Sequence, residues 1–379
     1  MKIVKTPYYS WKTGELADGC KHCVKGEKLV LFITGLCSAR CDFCPVSDKK
    51  LYKDVIYANE RLLRDEKETR AIIEEAIVCS ARGAGVTGGD PLVRLDRTIK
   101  YIKLLKKEFG EKFHIHLYTP LRLVNKNNLL RLYEAGLDEI RFHPKLDNKA
   151  DWPKIRLARK FGWVLGVEIP VIPGKGNETK KLIDYIHSKV DFLNLNELEL
   201  ADNAVWRNKK DVKCKDKVSY AIKGSDELAK KLLKYCAKLG LRAHYCTCKL
   251  KDKVQLAKRI QRRALGVKKK FDVLTEEGML TRGALYLPEL APGFGYHDKL
   301  SRLKTSEKKK ILNRLRAIRE RIIRKEKLPE DMLLVDEHKL RLITSPWLAR
   351  VIKVKGALRA VVTEYPTFDA LEVEVDILE

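Results

Sequence analysis

Long apolar runs are missing from this chain: no stretch approaches the roughly 20 residues that a membrane-spanning helix needs. The first eleven residues, Met1 to Trp11, mix lysines with polar groups and lack the apolar segment of a secretory signal. Both absences point to a cytosolic protein that stays off membranes. Internal repeats and low-complexity tracts are also absent, which argues against a solenoid or a disordered tail. Glutamine is scarce, occurring only at Gln255 and Gln261, while 34% of residues are charged. That combination fits a thermophile-like surface. Acidic residues are in deficit, however, with 51 Asp plus Glu against 78 Lys plus Arg and a formal net charge of +27. Thermophilic enrichment adds acids as well as bases, so the imbalance points to a polyanionic partner, RNA foremost.

What is present begins with size. The 379 residues suffice for one large core and a smaller appended domain. The ten cysteines are poor material for a disulfide framework in a compartment that keeps thiols reduced, so metal or redox chemistry is the better expectation. Between residues 28 and 200, short apolar runs alternate with helical patterns, the mark of βα units and a parallel sheet. The expected strands are 29–34, 85–89, 113–119, 139–143, 164–172 and 192–197. Ile99, Ile102, Leu105 and Phe109 recur at helical spacing and stop at Gly110; a second helix precedes Gly136.

This pattern predicts an α/β fold: an open (β/α)6 partial TIM-type barrel with a C-terminal helical extension and a small antiparallel β-domain. The expected segments are 1–27 with a CxxC, 28–200 as the barrel, 201–300 as an extension, and 301–379 as a basic helix and β-domain. Residues 208–217 read as a solvated loop, 225–239 as a helix and 242–248 as a strand. The stretch 302–327 reads as a helix with twelve basic and three acidic residues. Ile311, Leu315, Ile318 and Ile322 form its buried stripe, and Pro329 ends it. Beyond it, 351–355, 358–364 and 371–377 look β-like. In the last, Leu371, Val373, Val375 and Ile377 alternate with acids, predicting an apolar inner face and an acidic outer one.

One motif carries chemistry. Cys37-Ser-Ala-Arg-Cys41-Asp-Phe-Cys44 follows the first expected strand after Gly35 and Leu36, with the spacing C-x3-C-x2-C. Iron–sulfur clusters are held by thiolates, normally four on a cubane. Three on one loop leave an iron open for reaction, as a catalytic zinc keeps an open position. A zinc site or three unrelated thiols is the plainer alternative. With this spacing at the end of the first barrel strand, and an aromatic Phe43 before the third cysteine, the chain resembles the radical S-adenosylmethionine (SAM) superfamily. More narrowly, it resembles archaeal radical SAM proteins related to pyruvate formate-lyase activating enzyme.

The resemblance implies a [4Fe–4S] cluster on Cys37, Cys41 and Cys44 whose open iron chelates SAM. An electron from an external donor such as a ferredoxin or flavodoxin then cleaves SAM to a 5′-deoxyadenosyl radical. It also implies SAM contacts from Gly88 and Gly89, where a Gly-Gly-Glu type stretch is usual and Asp90 here replaces Glu. Glu168, Asn194 and Asn196 become candidates for the ribose and methionine moieties, although hydrogen bonding that closes the barrel is an equal alternative for each. Tyr118, Arg141 and His143 fall at strand ends, where Tyr118 and His143 are catalytic candidates and His143 could move protons.

A second set of cysteines flanks the barrel: Cys20 and Cys23 before it, Cys246 and Cys248 after it. These four thiols could form an auxiliary Fe–S cluster or a structural zinc site, with His22 and His244 as substitute ligands. Cys79 and Cys236 read as ordinary buried thiols, and Cys214 stays open. Three function classes follow: modification of a tRNA or rRNA base, favoured by the basic stretches 259–270 and 302–327; modification or activation of a protein; and non-catalytic electron transfer.

Overall fold

A computed structural model describes residues 1–201, 212–217 and 219–379. Residues 208–211 of the loop expected at 208–217 therefore lie outside the described residues. Two compact units make up the chain, Met1–Arg259 and Ile260–Glu379.

The first unit is an α/β open partial barrel. Its strands are β1 (Ile3–Lys5), β2 (Trp11–Thr13), β3 (Lys28–Phe32), β4 (Ile56–Ala58), β5 (Arg61–Leu63), β6 (Gly83–Thr87), β7 (His114–Pro120), β8 (Glu139–His143), β9 (Val164–Val171), β10 (Phe192–Glu197) and β11 (Ala243–Cys246). They form one sheet in the order β1-β2-β11-β10-β9-β8-β7-β6-β3-β4-β5. All six expected strands are present, within three residues of the expected bounds at each end. Their pairing is parallel throughout. The sheet also has a seventh parallel strand, β11, which runs alongside β10. The N-terminal β1–β2 hairpin then joins β11 antiparallel, with Thr13 opposite Ala243.

Helices cover the sheet where the periodicity placed them. Leu95–Phe109 buries Tyr101, Ile102 and Leu105 and ends at Gly110, whose φ of +81° is the left-handed conformation that favours glycine. The core is a continuous set of aliphatic side chains from strands and helices, Leu29, Leu31, Ile115, Leu117, Leu165, Val167, Leu193 and Leu195 among them. Cys79 and Cys236 are buried as expected.

In the second unit, β12 (Val273–Leu274), β13 (Leu280–Tyr286), β14 (Leu333–Asp336), β15 (Arg341–Thr344), β16 (Leu358–Glu364) and β17 (Glu372–Leu378) form an antiparallel sheet. Its order is β14-β15-β13-β16-β17, with β12 on β13. The long helix Thr305–Glu326 buries Ile311, Leu315 and Ile322 as its stripe predicts, with Ile318 partly buried. Two expectations fail here. Pro346–Val351 is a short helix capped by the Ser345 hydroxyl, so the β-like stretch at 351–355 does not form a strand. In β17, Val373 and Ile377 are 48% and 57% exposed. Because β17 is the sheet's edge strand, alternation fixes which residues share a face but does not supply a cover for it.

Candidate active site

The three-cysteine loop leaves β3 and is fastened to the glycine turn after β6. Gly89 N–H donates to Thr34 O (2.8 Å) and Asp90 N–H to Leu36 O (2.9 Å). A Cβ on Gly88 would meet Thr34 O at 2.4 Å, and one on Gly89 would meet Leu36 O at 2.4 Å. Both glycines are thus required by close backbone approach, and the turn forms one side of the cradle. The Asp90 side chain does something other than expected. Fully buried, it accepts from the Ser38 hydroxyl (2.5 Å), the Thr119 hydroxyl (2.8 Å) and Leu92 N–H (3.0 Å). It therefore clasps the cysteine loop to β7 instead of lining the cavity, and burial raises its pKa.

Cys37, Cys41 and Cys44 line a cavity of about 570 Å³ at the C-terminal ends of the strands, within the range of small-molecule sites. Phe43, Gly88, Gly89, Tyr118, Arg141, His143, Glu168 and Asn196 share its wall, while Asp90 and Asn194 lie behind it. Burial pushes all three loop thiols up, that of Cys41 to about 11. Bound iron would supply the positive charge that such desolvated thiolates need. Three thiols on one loop, a glycine cradle and a cavity of this size fit a cluster with a small-molecule co-ligand.

Behind the cavity lies a buried polar network set by strand register. Tyr118 on β7 stands opposite Arg141 on β8, and Glu168 on β9 opposite Asn194 on β10. The guanidinium of Arg141 donates to Glu139 (2.5 Å), to the Tyr118 hydroxyl (3.0 Å) and to Glu168 (2.9 Å). It also lies 5.4 Å from the centre of the Phe192 ring, for which Gly166 makes room: a Cβ there would meet the ring at 2.2 Å. Glu168 further accepts from Asn194 (2.8 Å) and Asn196 (3.0 Å). Three donors thus hold the carboxylate that faces the cavity.

Tyr118 also contacts His116 Nε2 at 3.1 Å, and burial drives its pKa well above 10. His143 packs 5.7 Å from Phe43, and its Nδ1 lies 3.0 Å from Glu168 O. Burial lowers its pKa, although that backbone contact opposes the shift. Burial thus favours the neutral form of the ring.

The second cysteine set occupies two places. Cys20 and Cys23 lie on the helix Asp18–Cys23, and Cys246 ends β11 with Cys248 just beyond. Cys246 is within electrostatic range of Cys20 and Cys23. Burial raises all four thiols, Cys20 to about 12. Among the described residues no three His, Cys, Asp or Glu side chains converge on a single ion, neither in this set nor in the loop of Cys37, Cys41 and Cys44, where each thiolate would bind a different iron of a cubane. His22 faces Glu27 (2.8 Å) and His244 faces Ser10 (3.0 Å).

Sequence reasoning missed Lys50, Glu197, Glu199 and Lys251 in the cavity wall, where Lys251 pairs with Glu199 at 2.5 Å. The signal was available for two of them, since Glu197 ends β10 and Glu199 follows it, at the end of a barrel strand where chemistry collects. Lys251 opens a turn of π-helix, Lys251–Leu256, which periodicity does not announce.

Three of the twelve basic residues of the stretch 302–327 have partners elsewhere in the second unit. Arg314 pairs with Glu289 and Arg316 with Glu337, and Arg319 donates to Leu333 O and Glu330 O.

Residues 31–186 match the family model of the radical SAM superfamily. A protein of Methanocaldococcus jannaschii, provisionally named a glycyl-radical enzyme activating enzyme, is 48% identical over 281 residues, covering 72% of this chain and 74% of that one. Among solved structures, Streptococcus suis SuiB bound to S-adenosylmethionine matches at 12% identity with a TM-score of 0.42. That match covers 58% of this chain and half the length of SuiB. Methylornithine synthase matches at 15% identity with a TM-score of 0.36, covering 59% of this chain and 71% of its own.

Proposed function

The chain belongs to the radical SAM superfamily and is an enzyme of that type, with a [4Fe–4S] cluster and SAM as its cofactors, and we propose that its substrate is a polypeptide, on which it leaves a glycine-centred radical. The observation that carries this reading is the 48% identity to a relative named as an activating enzyme of glycyl-radical enzymes. It favours protein activation over RNA modification, whose main support was the charge excess. The pairing of Arg314, Arg316 and Arg319 within their own unit weakens that support further.

In this reading Cys37, Cys41 and Cys44 hold the cluster. A [4Fe–4S] cluster on these three thiolates would supply one-electron reducing chemistry toward SAM, given an external electron donor. The protein's own contribution is placement. Gly88 and Gly89 bring bare backbone to the cofactor. Glu168, held by Arg141, Asn194 and Asn196, presents a fixed acceptor for hydroxyl or amino groups of SAM. Tyr118 and His143 flank the space where the substrate C–H must arrive. Phe43 and the apolar wall exclude water from a reactive intermediate.

Deuterium transfer tests the proposal. Reconstituted enzyme, SAM and dithionite are incubated anaerobically with total protein from cells grown on α-deuterated glycine, and in parallel with deuterated total RNA. Deuterium in 5′-deoxyadenosine from the protein arm alone is the expected result. Label arriving only from RNA overturns the proposal in favour of base modification.

A further inference from the structure

The glutamate at the cavity wall is held by two side chains that share a third partner deeper in the barrel. Asn194 Nδ2 donates to Glu168 at 2.8 Å and to the sulfur of Cys20 at 3.3 Å. Arg141 donates to Glu168 through one terminal nitrogen at 2.9 Å and to Cys20 through the other at 3.4 Å. We propose that Cys20 is a positioning residue for the SAM cavity, its sulfur fixing the orientation of Arg141 and Asn194 and through them the Glu168 carboxylate. The inference rests on the reading that the cavity of about 570 Å³ holds SAM.

The chemistry favours this role. The two N–H groups of the Asn194 amide go to two acceptors, a carboxylate and a sulfur. Turning the amide over would set its oxygen against the Glu168 carboxylate, and in the present orientation the Cys20 thiol also lies 3.8 Å from Asn194 Oδ1, to which it can donate. Arg141 is anchored from below by Glu139, and Cys20 completes the hydrogen bonding on that side of the guanidinium. Without the sulfur, a buried guanidinium N–H and an amide N–H each lose an acceptor where water has little access, since Cys20 is 5% exposed. The helix is pressed close: a Cβ on Gly19 would meet the Arg141 guanidinium at 2.4 Å and His116 Nδ1 at 3.0 Å. Cys20 therefore sits where an acceptor is needed, and a sulfur fits a gap that an additional carboxylate would make too negative beside Glu139 and Glu168.

Anaerobic titration calorimetry of the reconstituted holoenzyme with SAM tests the assignment, alongside iron and zinc content and the kinetics of SAM cleavage. Cys20→Ala should weaken SAM affinity on the order of tenfold, raising KM while kcat at saturating SAM and metal content stay near parental. Cys20→Ser, which keeps an acceptor, should recover most of the loss, and the core variant Cys236→Ala should match the parent. Asn194→Asp, which replaces the shared donor by an acceptor, should weaken SAM binding at least as much, and it keeps the test open if Cys20→Ala does not fold. Parental SAM affinity in Cys20→Ala or in Asn194→Asp overturns the proposal. So does equal loss of one metal in the Ala variants of Cys20, Cys23, Cys246 and Cys248, which assigns Cys20 to a metal centre. Parental affinity in Glu168→Gln instead overturns the cavity reading on which the proposal rests, so the two failures are distinguishable.

Discussion

At the scale of single residues, the site depends on charges that the strands bury. Burial opposes ionisation of Glu139, but the Arg141 charge, the His114 ring and the Gly19 N–H outweigh it and hold its carboxyl down at about 2 against an ordinary 4.5. A depressed carboxylate stabilises the fold above its unfolded pKa, and that contribution is lost as pH falls from about 4.5 towards 2. It amounts to about 3 kcal/mol. Denaturant titrations between pH 6 and pH 3 should show a shallower acid loss in Glu139→Gln than in the parent. The variant should also lose about 3–5 kcal/mol at pH 7, because Arg141 keeps its charge and loses a partner. Parallel pH profiles in the two proteins would contradict this. The cysteine spacing was legible because it is local and chemically distinctive. Arg141 was read only as a pocket residue, since nothing in Glu-Ile-Arg-Phe-His reveals that its partners stand on β7, β9 and an N-terminal helix.

At the scale of elements, the glycine turn after β6 fixes the cysteine loop by backbone contact alone. Gly89→Ala drives a methyl against Leu36 O, and the loop must move. Bound iron should fall to less than half of parental and 5′-deoxyadenosine formation at least tenfold, as measured by iron assay and chromatography. Full iron loading with parental turnover would show that the turn does not set the loop. Asp90→Ala removes the clasp between Ser38, Thr119 and Leu92. It should lower stability by about 1–3 kcal/mol, and Asp90→Glu should not restore it, because the longer side chain has no free space in a buried clasp. The six parallel strands were legible from alternating apolar runs and helical spacing. The seventh was visible as a strand but not as a neighbour of β10. The β1–β2 hairpin pairs with it across more than two hundred residues of sequence, a contact that no local pattern encodes. The edge position of β17 is likewise a property of the sheet, not of its alternation.

At the scale of the whole molecule, the +27 charge describes a tendency and not a surface. No helix among the described residues is long and apolar enough to cross a membrane. Reversing Arg314, Arg316, Arg319 and Arg321 to Glu should lower the melting temperature by a few degrees, through lost internal pairs. It should leave tRNA affinity at near-physiological salt within about threefold of parental, since Arg314 and Arg316 already pair with Glu289 and Glu337. A hundredfold loss of tRNA binding would return the RNA reading to first place. The account as a whole stands on the loop of three cysteines at the mouth of the barrel. Its most direct test is SAM cleavage by anaerobically reconstituted enzyme with dithionite, followed as 5′-deoxyadenosine. The parent should form it, and Cys37→Ala, Cys41→Ala and Cys44→Ala should each reduce it to background. Cleavage at the parental rate in the triple variant would contradict the account.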